Sequence, residues 1–318
     1  MQKTQVVTSI KSGEQWLDTD GNLIQAHGGG ILFDKGVYYW YGANMDIETI
    51  IIPDEVHDMA RTDVIGVSCY SSTDLMNWKN EGIVLSAVVD DAEHDLHPSK
   101  VLERPKVVYN ERTKQYVMWM HIDHADYSYS CAGVAISDHP TGPFQYLRSF
   151  RPHDAMLRDM TLFQDDDGKA YLYYSSENNS TLYISLLDEE YLQPAGPFTR
   201  NFIDKYREAP AVFKHKSKYY MISSGCTWWD PNEAEYAVAD TPLGPWEVKG
   251  NPCIGKDADK TFYAQSTHVL PVNGSSNTFI FMADRWKEED LGDSRYIWLP
   301  FTIEDNEVQI QWLDYWQL

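Results

Sequence analysis

The chain has 318 residues, with 26 Lys and Arg against 48 Asp and Glu, a formal charge of −22. Phosphate repels so acidic a surface, which argues against nucleic acid or an anionic membrane as partner, and no run of about 18 apolar residues offers a transmembrane helix. The 21 Tyr and 11 Trp favour strands and contact with a neutral ligand such as a sugar.

The opening stretch, Met1 to Ile10, lacks the apolar core of a secretory leader. It reads as cytoplasmic as the sequence stands, and as secreted where a leader has been removed. Four cysteines, Cys69, Cys131, Cys226 and Cys253, are too few for a disulfide scaffold and form no CxxC pair, so no metal site is expected from them. Cys226 and Cys253 bracket one segment and could pair; reduced, partly buried thiols are the alternative.

The predicted elements are short strands in a recurring order. Gly28 to Phe33, a turn at Asp34-Lys-Gly36 and Val37 to Gly42 read as a hairpin. A polar excursion from Ala43 to Asp63 leads to a third strand, Val64 to Tyr70, and an outer edge after Ser71. The second unit runs Lys106 to Tyr109, Tyr116 to His121 and Cys131 to Ile136, then turns through Thr141-Gly-Pro-Phe144. The third runs Met160 to Phe163, Ala170 to Tyr174 and Thr181 to Ser185. The fourth runs Ala211 to Phe213, Tyr219 to Ser223 and Glu235 to Ala239, turning through Leu243-Gly-Pro-Trp246. The fifth runs Thr267 to Leu270, Thr278 to Met282 and Arg295 to Leu299, with a last strand near Val308 to Trp312.

Second strands therefore start near residues 38, 116, 170, 219 and 278, a period of roughly 50 residues, which is propeller spacing. One small sheet cannot bury both faces, so five units arranged radially would share a core. The expectation is all-β: a five-bladed β-propeller, one domain over residues 1–318, with blades at roughly 27–97, 98–155, 156–204, 205–260 and 261–318. Two small β domains are the alternative.

In such a ring the first strand of each blade lines the axis. The residues leading these strands are His27, Glu103, Asp159, Glu208 and Gln265, which would meet at one mouth. Loops after the second strands add His121 to Tyr127, Glu177 to Ser180, Cys226 to Asn232 and Arg285 to Lys287. Convergent carboxylates beside Trp and Tyr suit glycoside hydrolysis, with one acid protonating the leaving oxygen and rings stacking on sugar faces. Each residue also has a structural reading. Glu208 could pair with Arg207 or Arg158, Asp159 with Arg158, and Glu103 with Arg104 or Lys106. His27 and Gln265 alone read as structural. Trp228-Trp229 before Asp-Pro-Asn favours ligand contact over packing.

Six ordered motifs resemble glycoside hydrolase family 43, and within it the exo-β-1,3-galactanase branch: Ala26-His-Gly-Gly-Gly-Ile-Leu32, Glu103-Arg-Pro-Lys106, Arg158-Asp-Met-Thr-Leu-Phe163, Arg207-Glu-Ala-Pro210, Ser224-Gly-Cys-Thr-Trp228 and Gly250-Asn-Pro-Cys253. The resemblance implies inverting cleavage of a terminal galactose from an oligosaccharide or polysaccharide, without a required cofactor. It makes Glu208 the general acid and Asp159 the group that tunes it. Glu103, Tyr127, Asn178, Asn179 and Thr227 become sugar contacts, joined by His27, Trp228 and Trp229 at the mouth. The aspartate base usual in the family is missing from Gln25-Ala-His-Gly-Gly29. Gln265 takes that place in the branch as base or water-holder, with His27 or Glu103 acting through water as other options. Trp228 stands where the branch has glycine. The resemblance leaves room for a channel cation such as calcium near His268. An α-L-arabinofuranosidase, a β-xylosidase, a non-catalytic propeller lectin and a five-bladed phosphorylase remain rivals.

Overall fold

The computed structural model describes residues 7–53 and 57–318. Residues 1–6, where most of the leader reading falls, and residues 54–56 within the polar excursion lie outside the described residues.

Five four-stranded antiparallel sheets succeed one another along the chain, each drawn from one continuous stretch. The first is His27–Asp34, Val37–Ala43, Gly66–Ser72 and Lys79–Ser86; the second is Val101–Asn110, Gln115–Asp123, Cys131–Ser137 and Gln145–Phe150. The third is Met160–Gln164, Ala170–Ser176, Thr181–Leu187 and Pro194–Asn201; the fourth is Arg207–His215, Lys218–Gly225, Glu235–Ala239 and Glu247–Gly250. The fifth is Gln265–Pro271, Thr278–Arg285, Arg295–Glu304 and Glu307–Val308. The first strand of each sheet touches that of the next, and the fifth returns to the first. The molecule is a five-bladed β-propeller.

The hairpins form where the chain can turn tightly. At Asp34 to Val37 the two central residues, Lys35 and Gly36, both have positive φ (49° and 87°), the geometry that matches strand twist in a two-residue loop. The repeated Gly-Pro turns, Gly142-Pro143 and Gly244-Pro245, are both cis.

Apolar alternation places the core between blades. Each of the five apolar clusters spans a pair of neighbouring blades. Blades one and five meet over Trp40, Trp78, Tyr296, Trp298 and Trp316, with Trp40 and Trp298 rings 4.9 Å apart. Trp119 of blade two is fully buried and donates its indole N–H to the Tyr191 carbonyl of blade three at 2.7 Å. Each such large side chain contributes about 2–3 kcal/mol on burial.

Two elements differ from the sequence expectation. The excursion after Ala43 is not featureless: Thr49–Ile52 pairs with Met59–Thr62 as an extra hairpin. The end of the fifth blade also differs. Asp305 and Asn306 adopt positive φ, so the chain folds back as the short strand Glu307–Val308. It then leaves the blade, and Ile310–Gln311 pairs in parallel with Cys253–Ile254 of the preceding stretch. Its register is secured there by the Ile310 N–H on the Pro252 carbonyl at 2.8 Å.

Candidate active site

The polar residues expected just before the inner strands lie, in four of five blades, within the first three residues of those strands; only Asp159 stands outside, before Met160–Gln164. The inner strands of blades one, two and four share one device. His27, Glu103 and Glu208 are each followed by a β-bulge. The next residue, Gly28, Arg104 or Ala209, has φ of 61°, 53° or 52°. A left-handed residue in a bulge bends the strand and re-aims the side chains around it, here towards the axis. For Arg104 and Ala209 that conformation costs about 1 kcal/mol or more, strain that clusters at working sites. Close backbone approach adds to it: a Cβ on Gly29 would lie 1.8 Å from the Tyr41 carbonyl oxygen, and one on Gly42 2.0 Å from the Ala26 carbonyl carbon.

These openings converge on a cavity of about 490 Å³, within the ordinary size of a ligand pocket. His27, Glu103, Asp159, Glu208 and Gln265 all line it, with Tyr127, Asn179, Trp228, Trp229 and Trp286. Met59 to Thr62, one strand of the extra hairpin, forms part of its wall. That hairpin is braced against the fifth blade. The Leu291 N–H donates to Thr49 Oγ1 at 2.8 Å, and His57 Nε2 lies 3.6 Å from Glu288 with its ring 5.5 Å from Trp228.

Glu208 sits at the centre of a hydrogen-bonded network. Gln265 Nε2 donates to its Oε1 at 2.9 Å and Asn179 Nδ2 to its Oε2 at 3.3 Å. Burial, and after it the negative charge of Asp159, push the Glu208 carboxyl up to about 8. It is a protonated acid at neutral pH, the state a proton donor needs. Its expected structural partner Arg207 is engaged elsewhere, on the Ser223 carbonyl at 2.5 Å. Asp159 does not pair with Arg158. It is gripped by Arg104, with Nε 2.9 Å from Oδ1 and Nη2 2.9 Å from Oδ2.

The same guanidinium fixes Gln265. Arg104 Nη2 and the Trp286 indole N–H both donate to Gln265 Oε1, the latter at 3.0 Å, while Nε2 donates to Glu208 and, at 3.0 Å, to Ser224 Oγ. Arginine and tryptophan can only donate, so the amide's orientation is determined and all four of its hydrogen-bonding positions are filled. A water reaches Gln265 only by displacing one of these partners.

Glu103 does not pair with Arg104 or Lys106. Its Oε2 lies 3.2 Å from His121 Nδ1 and its Oε1 accepts the Tyr127 hydroxyl at 2.7 Å. Burial works to raise this carboxyl, but His121, Tyr127 and Arg104 outweigh it and hold it below the usual range. His27 is wholly buried, and burial lowers its imidazole to about 3, so it is neutral. Gln25 Nε2 donates to the Gly292 carbonyl at 2.9 Å, which turns Gln25 Oε1 towards His27 Nε2 at 3.0 Å. That nitrogen therefore carries the proton. Nδ1 keeps a lone pair with no partner among the described residues.

Two expected sugar contacts fall outside the cavity. Asn178 and Asn179 lie in a left-handed turn (φ 55° and 65°) that splays them apart; Asn179 lines the cavity while Asn178 is exposed. Thr227 is exposed and braces its own loop, donating to the Asp230 carbonyl at 2.5 Å and accepting from Asn232 at 2.7 Å. The four cysteines are free, so Cys226 and Cys253 do not pair; burial, and after it the Glu208 carboxylate, push the Cys226 thiol well up. The channel near His268 is furnished with a lysine: a Cβ on Gly30 would meet Lys106 at 2.9 Å and His268 at 3.5 Å. Lys106 Nζ donates to the Gly28 carbonyl at 2.6 Å. Burial lowers the Lys106 ammonium to about 7, and among the described residues no cluster of three His, Cys, Asp or Glu is placed to hold a metal.

Sequence reasoning missed Arg104 as the hub of the network, and it missed Asp284. That carboxylate is buried, accepts the Gly28 N–H at 2.5 Å, and is pushed up to about 6 by burial. The signal available was its place at the end of a second strand, opposite Gln265.

Comparison with known proteins agrees with this geometry. The family model for glycosyl hydrolases family 43 matches residues 31–290. A family 43 β-1,3-galactosidase solved with galactodeoxynojirimycin is 42% identical, covering 97% of this chain and 100% of that one, with a TM-score of 0.89. The exo-β-1,3-galactanase of Phanerochaete chrysosporium, solved with galactose, is 37% identical over 98% of this chain and 68% of its own, with a TM-score of 0.87. The β-D-galactofuranosidase of Aspergillus niger is 23% identical over 200 residues, a match that spans only 58% of that protein and 58% of this one. Motifs, fold and relatives agree: the chain belongs to glycoside hydrolase family 43.

Proposed function

We propose that this enzyme removes terminal galactose from β-1,3-galactan chains with inversion at the anomeric carbon. One observation carries the reading: of the five leading residues on the cavity wall, two Glu with one His, one Asp and one Gln, a single carboxyl, Glu208, is pushed up by burial and by Asp159 into the proton-donating range. A lectin built on blade repetition would repeat one binding residue; a hydrolase needs an acid in one place only. The names of the 42% and 37% identical relatives support galactose as the sugar.

In this mechanism the terminal galactosyl unit lies on the aromatic wall of Trp228 and Trp229 and meets Glu103, Tyr127, Asn179 and His27 through its hydroxyls. The Nδ1 lone pair of His27 accepts one of them. Glu208 passes its proton to the glycosidic oxygen as the C1–O bond breaks, and the shortened chain leaves as an alcohol. A water adds to C1 from the opposite face and gives up a proton to the pocket wall, where Glu103 is the carboxylate held in its charged form. Gln265 holds the acid in line, and it orients the water once Trp286 yields its place on Oε1. Asp159, clamped by Arg104, keeps the acid's proton in place between turnovers. The wall formed by Met59 to Thr62 makes the site a dead end, which suits release from a chain terminus. No step needs a cofactor.

The test is incubation with β-1,3-galactotriose and with aryl β-galactopyranosides, β-galactofuranosides, α-L-arabinofuranosides and β-xylosides, following products by mass and fresh product by proton NMR. Galactose as first product, appearing as the α anomer, supports the reading. A first-formed β anomer, internal cleavage, or faster turnover of an arabinoside or xyloside overturns it.

A further inference from the structure

Behind Glu103 lies a second pair of charged groups that the mechanism does not use. His121 is 1% exposed and stands opposite Glu103 on the neighbouring strand. Its Nδ1 lies 3.2 Å from Glu103 Oε2 and its Nε2 2.9 Å from Asp123 Oδ2. Asp123 is fully buried, and every other group that meets it is a donor. Oδ1 accepts the N–H of His124 at 2.9 Å, Tyr129 at 2.7 Å and Ser130 at 2.9 Å, and Oδ2 accepts the Ser130 hydroxyl at 3.0 Å. Glu103 Oε1 likewise accepts from Tyr127. Both carboxyls are therefore acceptors, and a neutral imidazole has only one N–H to offer two of them. With Glu103 held below the usual carboxyl range and so ionised like Asp123, this geometry calls for a proton on each ring nitrogen.

We propose that His121 is a permanent imidazolium strut, anchored by Asp123, that holds Glu103 ionised and fixed in rotamer as the acceptor for galactose hydroxyls. His121 and Asp123 are positioning residues; Glu103 alone of the three meets the sugar. The proposal deepens the galactosidase reading and rests on it for the identity of the sugar, but the charge of the strut does not.

The surroundings favour this charge. Burial opposes it, yet Asp123 and then Glu103 outweigh burial and hold the imidazole up at about 9. The other charged or titratable groups facing the cluster are Tyr127, whose ring lies 6.1 Å from that of His121, the Cys131 thiol, which burial and Asp123 keep in its neutral form, and Arg104, which turns away to Asp159. The next strand offers only Ala132 opposite His121. A neutral strut in the same space would leave one carboxylate facing a bare nitrogen lone pair, and Glu103 would swing or take up a proton. In either case it stops being a fixed acceptor pair.

Two measurements decide it. Nitrogen-15 NMR of the free protein, with the His121 ring assigned by loss of its signal in His121→Asn, reads the charge directly and needs no substrate. The expected result is two protonated nitrogens from pH 6 to about pH 9; a single-proton ring at pH 7 overturns the proposal. Galactose binding is then measured by calorimetry in a Glu208→Gln background, which removes the titration of the acid. Affinity should be flat to about pH 9 and fall above it, and adding Asp123→Asn should move that fall down by at least one pH unit. If Asp123→Asn weakens binding tenfold at every pH without moving the transition, the aspartate is only a packing element and the strut is wrong. If galactose does not bind at any pH, the choice of sugar fails, and the nitrogen spectrum still decides the strut.

Discussion

Arg104 and Gln265 lie 161 positions apart in sequence, yet one guanidinium nitrogen of Arg104 caps the Gln265 amide oxygen while also holding Asp159. Arg104→Lys should break this arrangement. A lysine cannot bridge both carboxylate oxygens and the amide together, and a buried carboxylate deprived of its partner costs about 3 kcal/mol. Expected are a loss of about that size in urea unfolding and a fall in kcat of at least tenfold. A lysine variant as stable and as active as the parent would remove Arg104 from the hub.

Glu208→Gln should lower kcat by about 10²- to 10⁴-fold, with KM for galactotriose changing little, because the amide keeps the shape of the acid. Steady-state kinetics on the two proteins checks this, and a variant retaining a tenth of parental kcat would exclude the acid role.

The pH profile carries its own sign. Glu208 is held up at about 8, so the proton to be donated is present below that pH, and kcat should fall as pH rises through it. Asp159 raises this value and the Gln265 hydrogen bond lowers it. Asp159→Asn should therefore move the alkaline limb to lower pH, and Gln265→Ala to higher pH. Shifts in the opposite directions would mean that the limb belongs to another group.

Trp228 is 59% exposed and touches the hairpin through His57, so its ring is available to a ligand at low structural cost. Trp228→Ala should raise KM for galactotriose about fivefold, the equivalent of about 1 kcal/mol of stacking, and shift the melting temperature by less than 2 °C or so. An unchanged KM would place the sugar on Trp229 instead.

The ring of blades was legible in the sequence because its signals are local. Alternation, tight turns and the repeated Gly-Pro corners act over a few residues, and the second strands begin within one residue of the expected positions. The five leading residues were legible for the same reason, as they occupy equivalent places in each repeat. What escaped depends on backbone details and on distant pairing. Nothing in Glu103-Arg-Pro-Lys106 says that Arg104 takes a left-handed turn and points at Asp159 rather than at its neighbour. Asn178 and Asn179 are adjacent and chemically equal; only the turn separates the one that faces the cavity. The His121–Asp123 pair looks like ordinary strand alternation until Asp123 is seen to collect three backbone N–H groups from the loop that follows.

The seam between the first and last blades gives ligand binding a mechanical meaning. Each blade is made from its own stretch of chain, so no strand is exchanged across this junction. It closes through its tryptophan cluster and the antiparallel bridge between Ile10 and Trp316. His27 and Gln265 stand on opposite sides of that junction. A sugar touching both would act as a clasp on the ring, added to the hydrogen bonds that already cross the junction, such as Gly28 to Asp284 and Gln25 to Gly292.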